Sequence, residues 1–124
     1  MNEPKSYAIR LHPQAAADID EAHERMAASQ GNIYADAWQN GLRDTMATLA
    51  TFPAKYPLAH ENRLFQSVVH SCPYRAGSGA TVYRLLYEIV ADDDEAPHVH
   101  VLHIRHGARK PMTRAEARKI EAED

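Results

Sequence analysis

The sequence predicts an α+β domain of order β-α-α-β-β-β, with a two-helix hairpin packed on a small, mostly antiparallel sheet. Three observations lead there. An alternating stretch, Tyr7, Ile9 and Leu11, opens the chain; two segments with helical apolar spacing follow; and the second half holds three strand-like runs separated by short turns. A length of 124 residues suits one core. One domain is expected over 1–112, with a charged C-terminal tail or short helix over 113–124.

Ser6 to His12 reads as a half-buried strand, since Tyr7, Ile9 and Leu11 alternate with Ala8, Arg10 and His12. Pro13 fits the first position of a helix, where a missing N–H costs nothing. Ala15, Ile19, Ala22 and Met26 continue at helical spacing, with Asp18, Asp20, Glu21 and Glu24 facing outward. Gly31-Asn32 breaks this helix, and Asn32 is expected to cap the next. The second helix is expected from about Ile33 to Phe52, with Tyr34, Trp38, Leu42, Met46, Leu49 and Phe52 as its stripe. Pro53 and Pro57 then start a loop reaching about Leu64.

Gln66 to Cys72, Thr81 to Val90 and His98 to His106 are the remaining strands. Gly77-Ser78-Gly79 and Asp92-Asp93-Asp94-Glu95 are the turns between them, short enough for an antiparallel meander. Thr113-Arg114-Ala115-Glu116 has the pattern of a capping box and can begin a final helix. That helix has few apolar residues, so it is expected to need a partner for order. The second face of the sheet is expected to be solvated or covered by another molecule.

Composition narrows the function classes. At 44% hydrophobic and 25% charged, the chain reads as a soluble globular protein. It has no apolar run able to span a bilayer and no apolar core in its first residues to act as a secretory signal. The single Cys72 rules out an internal disulfide. A cytoplasmic location is expected. The net charge of −3 hides an asymmetry, with acids concentrated between Asp18 and Asp44 and bases between Arg105 and Lys119.

The element order, the opening YAIRLHPQAAADI, the LATFP after the second helix, the YRLLYEI strand and the closing VLHIRHGAR together resemble the RelE/ParE superfamily. Its members are toxins of bacterial type II toxin–antitoxin modules, and the resemblance covers roughly residues 7 to 111. It implies a cognate antitoxin as partner, whose acidic segment the basic region from Arg105 to Lys119 would suit. It also implies one of two mechanisms, which the fold alone does not separate. RelE-, YoeB- and HigB-like members cut mRNA on the ribosome, whereas ParE-like members inhibit DNA gyrase without catalysis. A degenerate member would bind only its antitoxin.

The leading expectation is a ribosome-dependent mRNA endonuclease that uses no metal or other cofactor. RNA cleavage needs a proton-transfer group and cations on the phosphate. His106 is the expected acid or base, because imidazole is the side chain whose charge changes nearest neutral pH. Arg84 offers a planar fork for phosphate, with Arg105, Arg109 and Lys110 adding charge nearby. YoeB-like members carry an Arg and a His at positions matched by Arg84 and His106. Their carboxylate is matched approximately by Glu61, which the loop context otherwise reads as solvated. Their terminal Tyr has no counterpart, because Gly107 follows His106. Arg84 has a plainer alternative role, pairing with Glu88 along its own strand. His98, His100, His103 and His106 suggest zinc by type, but no further ligand accompanies them and no metal is expected.

Overall fold

A computed structural model describes residues 6–77, 80–91 and 96–123. The turn residues Ser78, Gly79 and Asp92 to Glu95 lie outside the described residues. The elements are β1 (Ala8–Leu11), α1 (Pro13–Gln30), α2 (Asn32–Thr48), 3₁₀ turns at Pro53–Lys55 and His60–Leu64, β2 (His70–Arg75), β3 (Val82–Val90), β4 (His98–His106) and α3 (Arg114–Ala122).

Pro13 opens α1 as its sequence position requires, and the His12 ring caps it, Nδ1 accepting from the Gln14 N–H at 2.9 Å. Gly31, at a left-handed φ of 92°, separates the helices. Asn32 is the first residue of α2 and makes no capping bond. The helix stops at Thr48 rather than Phe52. Phe52 itself takes a left-handed φ of 53° directly before Pro53, whose ring disfavours a helical residue ahead of it.

The sheet order is β1-β4-β3-β2, with β1 parallel to β4 and the other pairs antiparallel. The expected meander is present, but β2 begins at His70 rather than Gln66. Residues ahead of it pair with the preceding loop instead of β3: Ala59 N–H donates to the Val69 carbonyl at 2.9 Å, and the Asn62 side chain accepts from Val69 N–H at 2.8 Å.

Each face of the sheet has its own core. On one, Ala15, Ile19, Trp38, Leu42 and Met46 of the helical hairpin meet Tyr83, Leu85, Tyr87, Val101 and Ile104. On the other, Leu86 and Leu102 pack with Ala59, Phe65, Val69, Met112, Ala117 and Ile120. The second face is therefore covered by this chain, contrary to the expectation from sequence. The apolar residues of α3 are few but sit at i and i+3, and both Ala117 and Ile120 are buried. The capping box is complete, with Thr113 Oγ1 accepting from Glu116 N–H at 3.1 Å and the Glu116 carboxylate accepting from Thr113 N–H at 3.2 Å.

Candidate functional site

The candidate residues gather where β3 begins and β4 ends. Cross-strand register decides which face each one takes. Tyr83 lies opposite His106, and Arg84 lies opposite Arg105. Opposed residues share a face and successive residues alternate. His106 therefore stands on the hairpin side, its ring edge-on to Tyr83 with centroids 5.2 Å apart. Arg84 and Arg105 stand on the α3 side.

The hairpin side is open. His106 and Arg109 line a concavity of about 520 Å³ with Tyr83, Ile104, Asp18 and Glu21. The turn that holds His106 is compact: its Nδ1 accepts from Ala108 N–H at 3.0 Å, and its carbonyl accepts from Arg109 N–H at 3.1 Å. Gly107 permits that turn, since its N–H donates to the Val82 carbonyl at 2.8 Å and a β-carbon there would sit 2.6 Å from the same oxygen.

The α3 side is closed by an ion network. Arg84 grips Glu61 with both nitrogens, at 2.9 and 2.5 Å. Arg105, only 1% exposed, lies 3.9 Å from Glu61 and 3.4 Å from Glu116, and donates to the Lys110 carbonyl. Arg109 joins from outside, 3.4 Å from Glu116. Burial alone would raise the Glu61 carboxyl, but hydrogen bonds from Arg84 and its own backbone, with the charges of Arg84 and Arg105, hold it below the usual carboxylate range. Glu116 is lowered too, because the Thr113 N–H and the Arg105 and Arg109 charges outweigh its desolvation. The Arg84 guanidinium is raised, chiefly by the Glu61 hydrogen bonds.

Arg84 and His106, expected to act on one phosphate, thus stand on opposite faces of the sheet and do not share this concavity. Arg84 bonds Glu61 rather than Glu88, which instead meets His100 at 3.1 Å. Glu61, read from sequence as solvated, is buried at 6% exposure. Arg105 is an internal residue and presents no charge to solvent. Arg109 and Lys110 are exposed.

Sequence reasoning also missed Asp18. Its Oδ2 accepts from Ile104 N–H at 3.0 Å and lies 2.6 Å from His103 Nδ1. The cause is topological. β1 ends with Leu11 opposite Val101, so among the described residues no strand lies beside that edge of β4 beyond this point. A carboxylate from α1 takes the place of a strand carbonyl. Helical periodicity placed Asp18 among outward acids and carried no signal of this contact. Among the described residues, no group of three or more His, Cys, Asp or Glu side chains converges as a metal site.

The family model described as ParE toxin of type II toxin-antitoxin system, parDE, matches residues 9–111. The chain belongs to this family. No curated protein matches it. As a ParE-family chain it is the toxin of a type II module, and membership implies a cognate antitoxin. No helix among the described residues of this toxin is long and apolar enough to cross a membrane.

Proposed function

We propose that this toxin acts by binding its target without cleaving RNA, the target being DNA gyrase. One observation carries the reading: β3–β4 register sends His106 and Arg84 to opposite faces, with Arg84 and Arg105 both engaged by carboxylates of the same chain. A metal-independent nuclease needs its proton-transfer group and phosphate cations around one scissile bond. Here the hairpin-side concavity offers one imidazole and two guanidiniums, His106 bonded within its own turn, Arg109 to Glu116 and Arg25 to Glu21. That arrangement suits a recognition surface. The gyrase assignment comes from ParE-like members of the superfamily.

A second reading keeps an mRNA endonuclease, because His106 and Arg109 share the open concavity. Induced expression separates the two. Growth arrest with gyrase-dependent DNA breaks, no codon-positioned mRNA cuts, and arrest retained by His106→Ala are expected. Codon-positioned cuts that disappear in His106→Ala would overturn the binding reading. Normal growth despite folded protein would leave only antitoxin binding.

A further inference from the structure

We propose that the end of the sheet where β3 begins and β4 finishes is a docking surface for the phosphate backbone of duplex DNA. Its contacts are Arg75, Lys110, Arg114 and Arg118. The choice of DNA rests on the gyrase reading above, since gyrase acts on duplex DNA.

Topology gathers these cations. Arg75 closes β2 opposite Val82, and Val82 accepts the Gly107 N–H that starts the turn leading to Lys110. Arg105 holds the Lys110 carbonyl, and Glu116 of α3 holds both Arg105 and Arg109, so the first turn of α3 is fixed at this same end. Arg114 is the first residue of that helix, and Arg118 lies one turn on. All four are exposed, and none of their side chains meets an acid among the described residues. The nearby carboxylates Glu61 and Glu116 are already engaged by Arg84, Arg105 and Arg109. The region therefore keeps its positive charge although the whole chain carries −3.

Further observations select phosphate over an acidic protein segment. Among the described residues, the large exposed apolar side chains are Leu11, Ile33, Tyr34, Phe52, Leu58 and Val68, and none belongs to this end. A peptide gains affinity by burying apolar anchors, whereas a nucleic acid backbone is held by charge and counterion release. Arg114 also sits where the positive end of the helix dipole disfavours a cation, a placement that folding does not favour. The α1 acids that border His106 and Arg109 are engaged within the chain, Asp18 by His103 and Glu21 by Arg25. The unengaged cations of this end thus remain available to a polyanion.

Fluorescence anisotropy of the purified toxin with a labelled mixed-sequence 20-base-pair DNA duplex tests the proposal. Contacts from three or four cations give a slope of roughly −3 in log K against log salt, and on the order of sixtyfold weaker binding between 50 and 200 mM salt. Lys110→Gln/Arg114→Gln/Arg118→Gln should abolish measurable binding with unchanged circular dichroism, while Arg43→Gln on α2 should bind as the parent does. No binding at 50 mM salt, equal binding by the triple variant, or tighter binding to polyglutamate than to DNA would each overturn it. Gyrase inhibition that persists in the triple variant at parental potency would remove the DNA contact and leave the gyrase reading standing.

Discussion

Arg84 and Arg105 face each other directly across β3 and β4. Like charges so placed repel, and here the Glu61 carboxylate reaches both. Glu61→Gln should therefore destabilise the fold by about 3 kcal/mol, read as a lower urea midpoint, because it leaves two poorly compensated cations at a largely buried site. The same group sets an acid limit. Glu61 and Glu116 have folded values below the ordinary 4.5, so the unfolded chain binds protons first as pH falls. Their contribution is complete above 4.5 and is lost as pH drops through the folded values. Urea midpoints measured from pH 6 down should fall below that point, and the fall should be shallower in Glu61→Gln. Asp18 is the other residue with a long reach. Asp18→Ala should cost about 2 kcal/mol, since it strips a charged acceptor from the Ile104 N–H and from His103.

Among the elements, α3 shows how far local pattern reaches. Its start was legible, because a capping box is written within four consecutive residues, Thr113 to Glu116. Its docking was not, because Ala117 and Ile120 meet Leu86, Leu102 and Phe65 from distant parts of the chain. The hairpin and the alternation of β3 were legible for the same reason as the cap: their periods are local. The start of β2 was misplaced because Val69 is drawn to Ala59 and Asn62 in a segment without period. The candidate site failed at the same boundary. Residue types at Arg84 and His106 could be read, but their opposite faces follow from register, and the partner of Arg84 lies 23 residues away in a loop. Thr113→Ala should cost about 1 kcal/mol by loss of the cap. Ile120→Ala should cost about 3 kcal/mol by emptying part of the second core.

At the scale of the molecule, one sheet serves both cores. Leu85 and Tyr87 feed the hairpin side while Leu86, between them, feeds the α3 side. Neither core can melt without disturbing β3. The single tryptophan, Trp38, lies in the first core. Its fluorescence and far-ultraviolet circular dichroism should report one coincident unfolding transition, and Ile120→Ala in the other core should shift both equally. A Trp38 signal that ignores Ile120→Ala would mean that the faces unfold separately. Gly107 also bears on how such a toxin changes over time. Any side chain there meets the Val82 carbonyl before it reaches solvent. A lineage acquiring a bulky residue after His106 must first loosen the β3–β4 end or re-route the turn. The descent from this tail to one with an aromatic at that position therefore passes through at least one compensating change elsewhere, and single-step drift between the two endings is closed.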